Sequence, residues 1–484
     1  MFNFKAIVHI LGLLMLLNGL FMALTLPVSY VQDSGDFTAI LASAAITCNI
    51  GLLIWWLTRK VKKSLAKRDG FIIVSFGWII LGLTGALPFI LSGEITSISS
   101  AIFETFSGYT TTGASILNDI EALPDGIMLW RSMTQWIGGM GIIVLTVAIL
   151  PMFGVGGMEL FSAESPGPSS SKIHPRITDT AKRLWILYVI LTGVEAVMLK
   201  FAGMSWLDAL NHSFTTMSTG GFSTKNASVA AFNSPAIEYI ITAFMLVGGV
   251  NFTMIYFILK GAFEKVYTNE EFKTYLGVVI GFTTVITAVL MFNGTGSSLE
   301  ENFRHSVFQV VTIVTTTGFS TSNYALWAPF AYMLIIFLMF TGGSAGSTSG
   351  GVKIVRHLII LKNAFAEFKR MLHPRAVIPV RLDKRSVDQK VVYNVLAFFF
   401  IYMLIFIVGA LIITAFGTDI VTAAGASIAC LGNIGPGIGG VDPSNNFAFF
   451  SKGAQLFMAF LMLLGRLELF TVLILLTPAF WKKV

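Results

Sequence analysis

The sequence predicts an all-α polytopic membrane protein in which four similar units surround one pore. Two observations carry this prediction. The chain is 55% hydrophobic and 12% charged, with a mean hydropathy of +0.78, and a soluble domain cannot bury so much apolar surface. A short motif rich in threonine and glycine also recurs four times. Ten stretches reach the length of about 20 residues that spans a hydrocarbon core of about 30 Å; they begin near Ala6, Phe37, Phe71, Arg131, Leu184, Pro235, Tyr275, Trp327, Val391 and Phe450.

The first two spans form an amino-terminal addition, residues 1–70, that precedes the repeated units. The first stretch is too long for the apolar core of a signal peptide, has no clear cleavage site and runs on into a second span. We therefore expect it to be retained in the protein and not cleaved as a leader.

The other eight spans fall into four pore units of one design: a span, a re-entrant half-helix, a filter motif and a second full span. The half-helices are too short or too polar to cross the membrane. They are predicted over residues 98–109, 206–217, 303–314 and 420–431. The units themselves are predicted over residues 71–158, 159–262, 263–361, where the second span is broken, and 362–484.

Each half-helix is followed by a motif that we call filter 1, 2, 3 or 4. Filters 1 and 3 are Thr-Thr-Thr-Gly, whereas filters 2 and 4 are more divergent. The final glycines are separated by 108, 97 and 117 residues. The filters consist of Thr110, Thr111, Thr112 and Gly113; Ser218, Thr219, Gly220 and Gly221; Thr315, Thr316, Thr317 and Gly318; and Gly432, Asn433, Ile434 and Gly435.

The chemistry that suits such motifs is the dehydration of a cation. Backbone carbonyls that point inward from four sides replace the water around the ion. Glycine adopts the backbone angles that turn successive carbonyls to one side, which β-branched threonine does not adopt cheaply. The half-helices direct their partially negative carboxyl ends toward the pore. One Thr-Thr-Thr-Gly motif alone is weak evidence for a filter, because threonine and glycine are common where membrane helices pack together, but four at regular spacing predict a filter.

The span that begins near Trp327 is predicted to be broken by a glycine loop. It runs 35 residues to Leu361, which as a single helix is about 52 Å long and exceeds the membrane thickness. Each glycine lowers helix propensity by about 1 kcal/mol relative to alanine. We expect a flexible loop over residues 341–351 just below the filters; a GxxxG-type helix contact is the alternative. Its glycines are Gly342, Gly343, Gly346, Gly350 and Gly351.

Arg466 is the other residue that is costly to place within a span. It replaces the second glycine of a pair that recurs after the other filters, at Gly138-Gly139, Gly248-Gly249 and Gly342-Gly343. Because an arginine in mid-span costs about 3 kcal/mol, we expect it to face the pore opposite the glycine loop, where it repels a cation or holds loop carbonyls. A snorkelling side chain or a structural ion pair is the alternative.

Basic residues collect in the connections 59–70, 159–183 and 353–390. The positive-inside rule places these connections in the cytoplasm. Counting the spans from these connections places both termini in the cytoplasm. It also places every filter so that it opens toward the outside of the cell. A dedicated partner site is the alternative explanation for a basic run.

The chain shows no catalytic constellation. Its two cysteines lack CxxC spacing and its six histidines lack a ligand pattern. His212 and His305 are expected to be hydrogen-bonded and not metal-bound. We therefore expect no enzyme activity, no covalent cofactor and no nucleic-acid partner. No GxGxxG follows a predicted strand, so nucleotide sensing is expected to come from another polypeptide.

The four filters, the glycine loop and Gly465-Arg466 resemble the superfamily of potassium transporters that includes the Trk, Ktr and HKT proteins, and the two extra amino-terminal spans resemble its TrkH type. The resemblance covers the whole chain. It implies a homodimer in the lipid of a bacterial inner membrane, with one pore per subunit and a soluble nucleotide-binding partner of the TrkA type. It implies that the glycine loop is the gate and that Arg466 is part of the gate region. It implies K⁺ as the transported ion, held at Thr111, Thr112, Gly220, Thr316, Thr317, Asn433 and Ile434.

The sequence therefore predicts a gated potassium channel, or a channel-like transporter, for K⁺ uptake. An inward-negative potential supplies about 2.3 kcal/mol per charge per 100 mV, so no coupling chemistry is needed. The alternative is a proton- or sodium-coupled symporter, which needs a titratable or second ion site; Glu195 and Glu468 are poor candidates. In filter 4, Asn433 and Ile434 depart from threonine, so discrimination against Na⁺ is expected to be moderate.

Overall fold

The computed structural model describes residues 2–60, 65–141 and 177–482. These residues are overwhelmingly helical, and the strands among them are confined to one small antiparallel hairpin, Arg381–Leu382 with Arg385–Ser386. The prediction of an all-α polytopic membrane protein is confirmed. The division into five parts remains a prediction, and its boundary between residues 158 and 159 lies outside the described residues.

Six described helices are long and apolar enough to cross a membrane as single rods. Two helix pairs pass the same test but are sharply bent, Pro235–Gly248 with Phe252–Leu259 by 105° and Lys452–Arg466 with Phe470–Leu476 by 110°. The six spans are Phe4–Val31, Phe37–Thr58, Arg68–Ser92, Ala181–Phe201, Glu270–Phe292 and Gln389–Ala415.

The expectation of a full second span in every pore unit is wrong for units 2 and 4, where that span is one of the bent pairs. In unit 3 the span is broken as predicted, since Pro329–Leu338 ends before the glycine loop and Ile354–Leu372 follows it. In unit 1 the helix Asp125–Gly139 occupies the predicted position, and the expected continuation beyond residue 141 lies outside the described residues.

The bends occur at Gly248-Gly249 in unit 2 and at Gly465-Arg466 in unit 4, where a glycine packs against a filter or the end of a pore helix. A Cβ added at Gly249 would lie 2.6 Å from Cγ2 of Thr315, and one added at Gly465 would overlap the carbonyl oxygen of Leu431. Beyond Gly465 the chain turns through two left-handed residues, Glu468 and Leu469, with φ of 53° and 56°. A side chain at either glycine would push the span away from the pore. Because glycine has no side chain, the span can approach closely.

The four half-helices, here called pore helices 1 to 4, are present. Three agree with the predicted bounds, and the third begins at Leu299 instead of 303. Helices 2 to 4 start at side-chain caps, with Ser205, Ser298 and Asp419 accepting backbone N–H groups at 3.0, 3.1 and 3.0 Å, which stabilises a helix start. Their bounds are Ile98–Tyr109, Trp206–Met217, Leu299–Val314 and Ile420–Leu431.

The amino-terminal addition packs against pore unit 1. Its two spans approach closely because Gly51 has no side chain; a Cβ there would lie 2.6 Å from the backbone nitrogen of Leu16. Asn18 then accepts a 2.5 Å hydrogen bond from the hydroxyl of Tyr109, the last residue of pore helix 1. The addition thereby supports the first filter from behind.

The remaining helices complete the described fold. The α-helical pieces within or between the spans are Leu26–Val31, Lys67–Gly85, Leu87–Ser92, Ile177–Phe201, Phe263–Tyr267, Phe470–Leu473 and Pro478–Trp481. The 3₁₀ turns are Ser228–Phe232, Tyr324–Leu326, Gly439–Val441 and Ile474–Leu476.

Candidate ion pathway

Each filter is held to its own pore helix by the same two backbone hydrogen bonds. The N–H of the second filter residue donates to the carbonyl three residues earlier, at 2.9, 2.8, 3.0 and 3.3 Å in filters 1 to 4. The N–H of the third donates to the carbonyl five residues earlier, at 2.9, 2.8, 2.8 and 2.9 Å. Four different sequences therefore adopt one backbone shape.

That shape requires left-handed backbone at two positions of every filter. The final glycines have φ of 82°, 77°, 85° and 95°, as expected for glycine. The second residues are also left-handed, with φ of 54° at Thr111, 54° at Thr219, 55° at Thr316 and 53° at Asn433. Threonine therefore adopts these angles at three of the four second positions, although they are costly for a β-branched residue. The cost of about 1–2 kcal/mol per residue is offset because the N–H at this position bonds to the pore helix.

The four filters close into a ring. A Cβ added to each final glycine would meet the carbonyl oxygen of the third residue of the next filter, and this relation runs from filter 1 to 2, 2 to 3, 3 to 4 and back to 1. The pairs are Gly113 with Gly220, Gly221 with Thr317, Gly318 with Ile434 and Gly435 with Thr112. Glycine is required at these positions because any side chain would overlap a neighbouring carbonyl.

The filters differ in how their side chains brace the backbone. In filter 1 the hydroxyls of Thr110 and Thr112 lie 2.7 Å apart, and in filter 3 those of Thr315 and Thr317 lie 2.7 Å apart. Filters 2 and 4 have no hydroxyl at the third position. In filter 4, Asn433 Nδ2 instead donates to Thr112 Oγ1 at 3.0 Å.

Filter 2 is braced by Gln135, a residue that sequence reasoning missed. Its Nε2 donates to the carbonyl of Gly220 at 2.7 Å, and its Oε1 accepts the N–H of Phe222 at 3.0 Å. The sequence signal for this contact was a polar glutamine within the span that follows filter 1, but the sequence does not indicate which filter the glutamine supports.

The glycine loop, residues 341–351, lies against the side of the filters on which their first residues lie, which we call the inner end. The N–H of Gly350 donates to Thr316 Oγ1 at 2.7 Å, in filter 3. A Cβ added at Gly350 would lie 2.8 Å from the carbonyl oxygen of Gly432, in filter 4. Thr348 Oγ1 donates to the carbonyl of Met217, just before filter 2, at 3.1 Å. The loop thus contacts the inner end of three filters.

Arg466 lies beside this loop. Its Nη1 donates to the carbonyl of Thr348 at 2.8 Å, and its Nη2 donates to the carbonyls of Gly138 and Gly139 at 2.6 and 3.0 Å. The structure therefore brings the loop, Arg466 and the glycine pair of unit 1 together. Glu468 lies beyond the end of the helix that carries Arg466 and forms an ion pair with Arg356.

Two cavities lie on the pathway. The outer one, of about 200 Å³, is lined by all four final filter glycines. The inner one, of about 160 Å³, is lined by Gly346, Gly350, Lys353 and Arg466 among others. The ring of filters and the glycine loop lie between these two spaces.

Behind the filters, the residue nine positions before the final glycine braces the chain as it leaves the filter. Glu104 accepts from the hydroxyl of Ser115 at 3.0 Å, and the Nε2 of His212 lies 3.0 Å from the hydroxyl of Ser223. Gln309 donates to the hydroxyl of Ser320 at 3.4 Å. In unit 4 the same position is an alanine, Ala426. The sequence signal that could have revealed this brace was a polar residue nine positions before the final glycine in units 1, 2 and 3.

His212 and His305 are hydrogen-bonded, as predicted. The Nδ1 of His212 lies 2.8 Å from the carbonyl oxygen of Asp208, and that of His305 lies 3.4 Å from Thr321 Oγ1. Within the described ranges no group of three His, Cys, Asp or Glu side chains could hold a metal ion. Glu195 is fully buried next to Thr216 of pore helix 2.

Comparison with known proteins identifies the chain's relatives. The TrkH family, described as cation transport protein, matches residues 37–483. The Trk system potassium uptake protein TrkH of Salmonella typhimurium (strain LT2) is 44% identical, covering 99% of this chain and 100% of that protein. The Trk system potassium uptake protein TrkG of Escherichia coli (strain K12) is 33% identical, covering 99% of both.

A solved structure has the same fold. The crystal structure of the potassium transporter TrkH from Vibrio parahaemolyticus superposes with a TM-score of 0.90 at 38% identity, covering 99% of this chain and 100% of that one. The matching family is one of transport proteins and not of enzymes. The chain, with its four filters closed into one ring, belongs to the TrkH family of cation transport proteins.

Proposed function

We propose that this protein is a potassium-selective pore for K⁺ uptake. The observation that carries the proposal is the closed ring in which each final glycine abuts a carbonyl of the next filter. A ring of inward carbonyls replaces the hydration shell of a cation without a fixed charge that would bind it too tightly. The names of the relatives, which are potassium uptake proteins, support K⁺ as the ion.

The transported K⁺ is held by filter residues. We assign this role to the backbone of the second and third filter positions, because the second position is the left-handed turn and the third position supplies the ring carbonyls. The carboxyl ends of four pore helices add partial negative charge at the same place. The residues are Thr111, Thr112, Gly220, Thr316, Thr317, Asn433 and Ile434.

The gate in this proposal is the glycine loop with Arg466. Three observations support it: the loop contacts the inner end of three filters, Gly346 and Gly351 have left-handed φ of 75° and 65°, and Arg466 holds the carbonyl of Thr348. A loop in this position blocks the path from the filters to the inner cavity. The positive charge of Arg466 also repels a cation there.

The assembly and its setting follow from the same family. We propose a homodimer in a bacterial inner membrane with both termini in the cytoplasm. We also propose a soluble, nucleotide-binding partner of the TrkA type that controls the loop. The relatives' description as parts of a Trk system supports a protein that works with other components.

The decisive experiment measures the reversal potential of the purified protein in liposomes under opposed K⁺ and proton gradients. A potential that follows the K⁺ gradient alone supports a channel. A shift with the proton gradient supports the coupled symporter and contradicts a passive pore. No K⁺ flux at all contradicts the proposed function.

A further inference from the structure

At the outer end of the filters, a second set of contacts joins the four pore units. The carbonyl two residues beyond each final glycine accepts one hydrogen bond from the preceding unit, so that four bonds run from unit 4 to 1, 1 to 2, 2 to 3 and 3 to 4. We call them the outer ring. The bonds are Phe447 N–H to Ser115 O at 2.8 Å, Arg131 Nη1–H to Ser223 O at 3.1 Å, Ala230 N–H to Ser320 O at 3.2 Å and Tyr324 O–H to Gly437 O at 2.7 Å.

Two of these donors are side chains, Arg131 and Tyr324, and both are almost fully buried, with exposed fractions of 1% and 0%. The other two are backbone N–H groups, which any residue but proline supplies. The junctions between units 1 and 2 and between units 3 and 4 therefore depend on residue identity. The two junctions alternate with the backbone junctions around the ring.

Arg131 is fixed in place by Glu104. The two side chains form an ion pair at 2.7 Å, with exposed fractions of 1% and 0%, and the guanidinium carbon lies 3.6 Å from the ring centroid of Phe222, directly after filter 2. Glu104 also accepts the N–H of Ile116 at 2.9 Å, beyond filter 1. The pair therefore ties the chain that leaves filter 1 to the chain that leaves filter 2.

The outer ring links neighbouring pore units, which the bonds between each filter and its own pore helix do not do. The repeated backbone bonds hold each filter only to its own pore helix, so they leave the distance between filters free. That distance sets the width of the carbonyl ring, and the number and placement of the carbonyls decide how well K⁺ is preferred over Na⁺. A donor that joins two filters from behind therefore acts on selectivity.

We propose that Arg131 and Tyr324 are specificity-determining positioning residues that hold neighbouring filters at the spacing required for K⁺. Neither touches the transported ion; each acts through a carbonyl of the chain leaving a filter. The inference rests on the proposed function, since it assumes that the filters select K⁺.

The first test is Tyr324→Phe in the full chain reconstituted in liposomes. The substitution removes one hydroxyl and keeps the buried ring. We expect the K⁺/Na⁺ permeability ratio to fall about fivefold, as for the loss of one hydrogen bond, while K⁺ flux is retained. The control is Tyr402→Phe, which makes the same change at a buried hydroxyl that has no hydrogen-bond partner within the described residues.

The second test is Arg131→Lys, which keeps the charge next to Glu104 but lacks the fork that reaches both Glu104 and Ser223. We expect a fall of about tenfold in the permeability ratio, because hydrogen bonds from charged groups are the stronger ones. The control is Arg304→Lys. Arg304 pairs with Glu238 at 2.7 Å and Glu300 at 2.9 Å, and these contacts do not include a filter residue.

The outcomes separate the two proposals. A merely structural role predicts lower yield or a lower melting temperature with an unchanged permeability ratio, and unchanged ratios in both variants overturn this inference alone. If Arg131→Lys does not fold, Tyr324→Phe decides. Absence of K⁺ selectivity in the unaltered chain overturns the proposed function and this inference together.

Discussion

The filters and the glycine loop are both irregular, glycine-rich backbone inside a membrane protein, but the bonds that hold them reach over different distances. The repeated backbone bonds of each filter run to its own pore helix, to carbonyls no more than six residues away. The loop has local bonds too, such as Gly343 N–H to Ser349 Oγ at 3.1 Å, but it is also held by distant groups: Ser344 N–H donates to Gly249 O at 2.9 Å, Gly350 N–H to Thr316 Oγ1 at 2.7 Å, and Arg466 to Thr348 O at 2.8 Å.

In the proposed function, this difference separates a preorganised element from a movable one. Local bonds form whenever the pore helix forms, so the filter backbone keeps its shape. Distant bonds depend on the relative position of other units and can be exchanged when a partner shifts them, which is the behaviour of a two-state segment. The following substitutions break one kind of bonding at a time.

The largest effect on K⁺ transport is expected for Gly318→Ser, which alters the backbone of filter 3. This glycine has φ of 85°, and a Cβ would overlap the carbonyl oxygen of Ile434. Left-handed strain and a displaced carbonyl each cost on the order of 1–2 kcal/mol, so K⁺ uptake should fall about a hundredfold. The measurement is K⁺ uptake by cells that lack other uptake systems, normalised to the protein in the membrane.

The control for this substitution is Gly277→Ser. A Cβ at Gly277 meets no other atom within 4 Å, so uptake should remain normal. Normal uptake by Gly318→Ser at normal expression contradicts the assignment of the filter.

A smaller effect of opposite sign is expected when residues 346–350 are deleted. The deletion removes the loop bonds to Thr316 and to Arg466, so the path should stay open. K⁺ flux into liposomes without any partner should rise about thirtyfold, corresponding to about 2 kcal/mol. Unchanged flux rules out the loop as the gate.

Arg466→Ala should loosen the same loop while leaving its length intact. The guanidinium makes three hydrogen bonds to carbonyls, one of them in the loop, and charge-assisted bonds contribute about 1.5–3 kcal/mol each. We expect the flux without partner to rise about tenfold. Arg375→Ala, at an exposed position, is the control, and a lower yield with unchanged flux indicates that Arg466 is only structural.

The smallest effect is expected for Thr348→Val. Its hydroxyl lies 3.1 Å from both the Met217 and Gly248 carbonyls, and valine has the same shape without the hydrogen bond. The loss of about 1 kcal/mol should raise the flux about fivefold. Thr284→Val, at an exposed hydroxyl that bonds only within its own helix, should have no effect; an equal rise in both variants contradicts a role for this contact.

Much of the local structure was predictable. The predicted bounds of pore helices 1, 2 and 4 agree with the structure. Short segments that begin after a polar residue and lie between apolar spans can be recognised in the sequence. The third helix starts earlier because Ser298 caps it. The break before the glycine loop followed from length alone. The bends in units 2 and 4 were missed because continuous apolar sequence does not reveal that a glycine packs against a filter or the end of a pore helix.

The candidate site also has a part that could be predicted from the sequence and a part that could not. The positions of the filters, the loop and Arg466 could be named from the repeats. The partners could not: Gln135, Glu104, Arg131 and Tyr324 reach filters far away in the chain. The left-handed threonines were also unexpected, because the bond that offsets their strain is visible only in the folded backbone.

The sequence by itself determined the membrane class, the four pore helices and the place of glycine in each filter, because these depend on composition, periodicity and local backbone freedom. Only the tertiary structure decided that the four filters close into a ring, that Arg466 holds the loop and that the outer ring joins the units. Those contacts link residues up to several hundred positions apart, and no local pattern specifies which distant carbonyl a buried donor will meet.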